Sequence, residues 1–378
     1  MSRSTHFDIA VIGAGIAGAS AASTLAHHRS VLLLERESQP GYHTTGRSAA
    51  TFVESYGPPA VRALTRASRA FYFAPPAGFS DHPLLAARGA LTLARPGQEQ
   101  QLEREFAGLA PTCPGLVRLS RAEAVALVPC LLPQQIACAM LDQHTMDIDV
   151  HALHQGYLRA MRKQGGVLRT SAQVVAAHRI DTDWEITLAG QPPVRAAVVV
   201  NAAGAWADEV GAQFGAQRIG LMPLRRTAFT FAPPQGVATA AWPAVFGVDE
   251  SYYFKPEAGT LLGSPANADL VHPHDVVPEE LDVATGIHNI EAVTTLQIRR
   301  PLRTWAGLRS FVPDGEMVIG WDQHRAGFFW IAGQGGYGIQ SAPGAAALAA
   351  ALLLGQPLPD SLRAQALDPA ALSPLRLV

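Results

Sequence analysis

The sequence predicts an α/β (α+β) protein: a discontinuous Rossmann-like dinucleotide-binding domain carrying a second, mostly antiparallel-β domain. Three observations predict it. Residues 7–35 read as strand, glycine-rich turn, helix, strand and acid. Two further apolar strands run into Gly/Ala-rich junctions, at 196–206 and 327–340. Residues 82–140 and 219–306, between these segments, have a different texture, and the second stretch is rich in strand formers. The expected division is residues 1–81, 141–218 and 307–378 for the nucleotide domain, and 82–140 and 219–306 for the other.

Residues 7–12 are a continuous apolar run, as a strand buried on both faces requires, and 16–27 are Ala-rich and helical. Gly13 permits the tight turn, Gly15 lets a pyrophosphate approach the backbone, and Gly18 lets the helix pack on the strand. Phosphates are favoured at the helix N-terminus, beside Ala17, by free amides and the macrodipole. Residues 31–34 form the second strand, which runs into Glu35, 22 positions after Gly13, where a carboxylate meets an adenosine ribose. A helix at 153–163, a β-rich stretch at 166–188 and a strand at 196–200 follow, leading to Ala203 and Gly204. Strand candidates fill the second domain at 90–94, 226–231, 251–255 and 260–262. The strand at 327–332 enters Gly333-Gln334-Gly335-Gly336-Tyr337-Gly338 and an Ala-rich helix from 340 to 354.

Composition narrows the function. A 48% hydrophobic and 16% charged chain of 378 residues is an ordinary globular protein with room for two domains. Its net charge of −2 and lack of a basic block disfavour nucleic acid and anionic membranes as partners. Cys113, Cys130 and Cys138 are odd in number and lack CxxC spacing, so reduced thiols in a cytoplasmic setting are expected, with no zinc or other metal site. The apolar helix at 345–354 is too short to span a bilayer, so no integral membrane segment is expected.

A nicotinamide dehydrogenase usually needs only one such fingerprint. The second glycine-rich strand-to-helix junction, at the far end of the chain, could stabilise the negative charge that a reduced isoalloxazine carries. The motifs GAGIAGAS, LLLERE, QPGYHTTGRSAA, VVVNAAGAWAD, LGSPANADLV, WAGLRSFVPDG and GQGGYGIQ, in this order, span nearly the whole chain. Through them the sequence resembles the FAD-dependent D-amino-acid oxidase superfamily, and within it D-arginine dehydrogenase-like enzymes. The resemblance implies non-covalent FAD, with adenine and ribose near Glu35 and Arg36 and bordered by Val174. The flavin is implied to lie over the loop Thr44, Thr45, Gly46, Arg47, Ser48, Ala49 and Ala50, and against Gly335, Gly336, Tyr337, Gly338, Ile339 and Gln340.

The same resemblance implies a carboxylate clamp of Arg226 and Arg309, closed by Tyr56 and Tyr253, with Gln340 beside the flavin pyrimidine and Gly307 leaving room for the substrate amine. A guanidinium suits this role because it is planar, permanently charged and able to bind a carboxylate bidentately. Arg225 and Tyr252 are the strand neighbours of Arg226 and Tyr253, and alternation sends each pair to opposite faces. Two departures bear on the substrate. Ala90 stands where D-arginine dehydrogenases have a glutamate for the substrate guanidinium, and Thr51 where they have a histidine. An unpaired buried cation is costly, so the expected substrate is a neutral, fairly apolar D-amino acid lying near Ala90, Ala244 and Phe246, with Glu250 or Glu54 on neighbouring loops.

The expected reaction is oxidative deamination, in which the α-hydrogen leaves as hydride to flavin N5 and the imino acid then hydrolyses to a 2-oxo acid and ammonia. Oxygen and a quinone are both admissible electron acceptors. The alternatives are an oxidase of glycine, sarcosine or another secondary amine on the same fold, and a flavin-binding subunit without turnover.

Overall fold

A computed structural model describes residues 6–377. Its first sheet is built on a parallel core of five strands, in the order Val167–Arg169, Val31–Leu34, His6–Ile12, Gln191–Asn201 and Phe328–Ala332. Val11 lies between Leu33 and Val200 in register. Both faces are covered, which is why these strands are apolar throughout. Ile9, Val11 and Leu33 enter one core, while Ala10, Ile12, Leu32 and Leu34 enter the other.

The first face carries the helices Ile16–Leu25, Pro59–Phe73, Val150–Lys163 and Ala342–Leu354. Ala342–Leu354 is apolar on every side because it is enclosed, and Gly355 ends it in the left-handed conformation at φ 62°. Val150–Lys163 starts at Asp149, whose carboxylate accepts from Ala152 N–H at 2.8 Å. The second face carries an antiparallel meander of Val174–Ile180, Asp183–Leu188 and the first half of Gln191–Asn201, with the helix Ala207–Gln213 beside it.

The second sheet has nine strands and is antiparallel except where Ala244–Gly247 runs parallel to Ala90–Ala94. Its longest pairing joins Met222–Phe231 to Arg303–Phe311, with Leu224 opposite Arg309 and Arg226 opposite Gly307. The helix Glu280–Glu291 covers this sheet through Ile290, which packs with Phe229 and Phe254. The sheet includes Cys138–Asp142 and Arg303–Phe311 in full, so it extends through positions 141 and 307. A small third sheet of Thr51–Phe52, Met146–Ile148 and Leu85–Ala87 joins the two halves.

The mixed α/β class read from sequence is the observed one. Pro59–Phe73 and Glu280–Glu291 are helices that the strand-former counts did not mark. No helix among the described residues is long and apolar enough to cross a membrane. The three cysteines are unpaired, with Cys113 and Cys130 buried.

Candidate active site

The nucleotide turn is built from backbone that only glycine supplies. Gly13 sits at φ +99°, and a Cβ there would lie 2.4 Å from the Ala202 carbonyl oxygen. A Cβ on Gly18 would lie 1.8 Å from the Gly13 oxygen, so Gly18 serves helix–turn packing and does not line the cavity. Gly15 does line it, and its bare Cα leaves a cradle that a side chain would fill toward Thr45 Oγ1, at 3.2 Å. The Ala14 peptide is held on both sides. Its N–H donates to Glu35 Oε2 at 2.9 Å, and its carbonyl accepts from His154 Nε2 at 2.8 Å. Thr45 Oγ1 accepts from Ile16 N–H at 3.0 Å. Burial pushes the Glu35 carboxyl above the ordinary carboxylate range, opposed by N–H bonds from Glu37 and Ala14. Burial likewise pulls the His154 imidazole below its ordinary value, consistent with a neutral ring donating to Ala14.

One cavity of about 1640 Å³, including its open mouth, runs across the carboxyl ends of the parallel strands. Gly13, Gly15, Ala17, Glu35, Arg36 and Val174 line one end of it. Thr44, Thr45, Arg47, Ser48, Ala49, Ala203 and Gly204 line its length, and Gly335, Gly336, Gly338 and Ile339 face them. Gly46, Ala50, Tyr337 and Gln340 do not line it. The Gln340 side chain is buried and bonded within the protein. Its Oε1 accepts from Val53 N–H at 3.2 Å, and its Nε2 donates to Thr65 Oγ1 at 3.1 Å and to the Tyr56 carbonyl at 3.4 Å. It therefore tethers the segment that carries Tyr56.

Arg226, Tyr253, Gly307 and Arg309 line the other end. Arg226 and Arg309 are diagonal neighbours on one face of a strand pair, so both guanidiniums open onto the same space. Each is half-buried for that reason. Arg226 donates through Nε to the Asn267 carbonyl at 2.5 Å, and Arg309 Nη1 lies 3.5 Å from Tyr56 Oη. Among the described residues, neither has a carboxylate within ion-pair distance. Burial, then the neighbouring Arg309 charge, pull the Arg226 guanidinium below arginine's ordinary value. A Cβ on Gly336 would lie 3.1 Å from Tyr56 Oη and 3.2 Å from Arg309 Nη1, so the glycine is what lets the turn approach the pair. Arg225 points the other way, into Asp269, Asp282 and Glu279. Tyr252 is buried in the core behind the sheet.

The expected side-chain compartment is not part of this cavity. Ala90 and Ala244 are buried side by side in the second sheet, and Phe246 packs against Tyr253 with ring centres 5.7 Å apart. Thr51 pairs with Asp147 in the small sheet, Glu54 is ion-paired to Arg69 at 2.7 Å, and Glu250 is exposed at φ 53°. None of the six lines the cavity, although the register puts Ala90, Ala244 and Phe246 on the same sheet face as Tyr253, Arg226 and Arg309.

Several contributors carried no local signal in the sequence. His154 reaches the turn from a helix whose other inward residues are apolar. Trp206 lines the cavity and lies under the Arg36 guanidinium at 5.0 Å, and it was visible only as part of NAAGAWAD. Arg47 spends its guanidinium on fastening: it donates to the Ala306 and Val276 carbonyls at 3.0 and 3.1 Å and pairs with Asp275 at 2.5 Å. Tyr42 donates to the same Asp275 at 3.0 Å. Together they hold the segment around Val276 against the flank of the cavity.

The turn, the acid and the open cradles at Gly15 and Gly336 fit a dinucleotide with a second aromatic system at its far end. The profile of the FAD dependent oxidoreductase family matches residues 8–352. Over 142 residues the chain is 30% identical to the mitochondrial dimethylglycine dehydrogenase of Mus musculus, a match to 37% of this chain and only 16% of that protein's length. The structure is similar to glycine oxidase from Geobacillus kaustophilus, with a TM-score of 0.84 and 21% identity over 98% of both chains. It is also similar to iminodiacetate oxidase from Chelativorans sp. BNC1, with a TM-score of 0.81 and 23% identity over 97% of this chain and 98% of that one. At those identities the likeness concerns the fold.

Proposed function

The chain belongs to the FAD dependent oxidoreductase family, and on that premise we propose that it oxidises the C–N bond beside the carboxylate of a small amino acid, with neutral D-amino acids as the substrate class. The observation that carries this reading is the Arg226–Arg309 pair, two guanidiniums facing one cavity end with, among the described residues, no carboxylate within ion-pair distance of either. Two like charges held side by side and partly desolvated oppose each other, and a substrate carboxylate bound by both relieves this. FAD, when bound, supplies the two-electron acceptor.

The rest follows from the chain's own groups. Gripping the carboxylate at two points fixes the Cα–H bond in one direction, and such positioning carries much of the rate. Tyr253 lines the cavity beside the grip, Tyr56 lies 3.5 Å from Arg309 without lining it, and Gly307 leaves the space beside the grip open, since a Cβ there would meet only Arg47 carbons, at 3.5 and 3.9 Å. These neighbours include no carboxylate or imidazole, so the substrate amine must arrive already neutral. Loss of Cα–H and one N–H leaves an imine, which water converts to the 2-oxo acid and ammonia.

Glycine or an N-substituted glycine is the second reading. It is favoured because Ala90, Ala244 and Phe246, the residues expected beside a larger side chain, do not line the cavity. The test is anaerobic titration of the FAD-bound protein with D-leucine, D-methionine, D-phenylalanine, D-arginine, their L-enantiomers, glycine and sarcosine, read by bleaching of flavin absorbance. Neutral D-amino acids should bleach it, with a rate rising with pH through one amine-like ionisation. Bleaching by glycine or sarcosine alone would favour the second reading, and a strong preference for D-arginine would sink the neutral-substrate claim. Bleaching by none would leave a flavin-binding subunit.

A further inference from the structure

The second sheet is interrupted beside Arg226. On one side, Met222–Phe231 pairs with Thr260–Ser264 at Phe229, Thr230 and Phe231, and with Asp269–Leu270 at Leu224 and Arg225. Between these, at Arg226, Thr227 and Ala228, no strand among the described residues pairs on that side. The chain leaves the sheet there through Pro265, Ala266 and Asn267, with Ala266 in the left-handed conformation at φ 54°. Side chains replace the missing ladder. Asn267 Oδ1 accepts from Thr227 N–H at 2.9 Å, and Ser264 Oγ donates to the Thr227 carbonyl at 2.6 Å. The backbone donor fixes which amide atom of Asn267 faces the strand, and Nδ2 donates to the carboxylates of Asp269 and Asp282, at 2.7 and 3.1 Å.

The carbonyl of the same residue accepts from Arg226 Nε at 2.5 Å. With Nε engaged, the plane of the guanidinium is set. Among the described residues, Nη1 and Nη2 of Arg226 make no bond to the protein, which leaves both for a carboxylate. An arginine gives up much rotamer freedom when it closes on a ligand, and a bond made before the ligand arrives removes part of that cost. A left-handed alanine persists only where its surroundings over-determine it, and the bonds of Asn267 and Ser264 on either side of Ala266 do so.

We propose that Asn267 is a positioning residue for the carboxylate clamp. Its side chain, tied to Thr227, Asp269 and Asp282, sets the carbonyl that holds the Arg226 guanidinium ready for substrate. The proposal rests on the clamp reading of Arg226 and Arg309 and is independent of which amino acid is oxidised.

The test is anaerobic mixing of the FAD-bound protein with whichever of glycine, sarcosine and the neutral D-amino acids bleaches the flavin fastest, in wild type, Asn267→Ala, Arg226→Met and the double variant. Saturation of the reduction rate gives a substrate dissociation constant and a limiting rate. Asn267→Ala should raise that constant about ten-fold and leave the limiting rate within about two-fold. In the Arg226→Met background it should change the second-order rate constant by less than about two-fold. A merely structural role costs the same factor in both backgrounds. That result, or no change in Asn267→Ala while Arg226→Met falls, overturns the positioning role and leaves the clamp standing. An unchanged second-order constant in Arg226→Met overturns the clamp, and the proposal with it. Should Asn267→Ala not fold, Asp282→Ala makes the same comparison by removing one of the carboxylates that hold Asn267. Loss of that negative charge by itself favours the substrate carboxylate. A rise of about three-fold in the dissociation constant therefore supports positioning, and an unchanged or lowered one overturns it.

Discussion

At the scale of single residues, the substrate end depends on charge left without a partner. Arg225 and Arg226 are adjacent in sequence and opposite in fate. Arg225 is surrounded by Asp269, Asp282 and Glu279, whereas Arg226 has no ion pair among the described residues and donates to the Asn267 carbonyl beside the like charge of Arg309. Arg309→Met keeps much of the side-chain volume and removes the clamp. It should lower kcat/KM for the best substrate by about 100-fold or more while leaving the amount of bound FAD unchanged. Turnover within a few-fold of wild type would refute the clamp. Alternation made it legible that Arg225 and Arg226 diverge. It could not say which one faces the site, because that depends on which side of the sheet meets the cofactor domain.

At the scale of elements, the strand–turn–helix at the N-terminus is a local unit and was legible residue by residue. Gly13, Gly15 and Gly18 do different work in it: conformation, access and packing. Gly18→Ala places a methyl 1.8 Å from the Gly13 oxygen, so the helix must lift off the turn. The variant should lose about 1–3 kcal/mol of stability or more and retain less FAD, measured by thermal unfolding and flavin content. A variant that unfolds and binds FAD like wild type would mean that the turn tolerates a shift this geometry excludes. Helices were less legible where their pattern is mixed. Glu280–Glu291 buries only Gly286 and Ile290, too narrow a stripe to stand out among strand formers. The bonds of the Gln340 amide to Val53, Tyr56 and Thr65 were not legible, because the helix Pro59–Phe73 and the segment before it bring these partners from far in sequence.

At the scale of the whole molecule, carboxylates join distant parts of the chain and set its acid limit. Asp314 is held below the ordinary carboxylate value of 3.8 by its bond from Arg376, and Asp275 by its bond from Arg47. Asp8 is lowered by Ser30. Because these groups are more acidic in the folded than in the unfolded chain, their stabilisation is present above about 3.8 and is lost as pH falls through their depressed values. The thermal midpoint should therefore drop as pH falls below about 4, and Asp314→Asn should flatten that limb. A midpoint that holds or rises on acidification would contradict the prediction.

The sequence by itself determined the α/β class and the dinucleotide unit with its acid. Those features are encoded in local spacing: period two in strands, glycines at fixed offsets in a turn, an acid at the end of the next strand. Only the tertiary structure decided that Leu224 pairs with Arg309, and this register brings Arg226 and Arg309, distant in sequence, to one face. It also decided that His154 from a later helix fixes the Ala14 peptide. Register between strands distant in sequence is set by which faces must be buried together, and no local window of the chain contains that information.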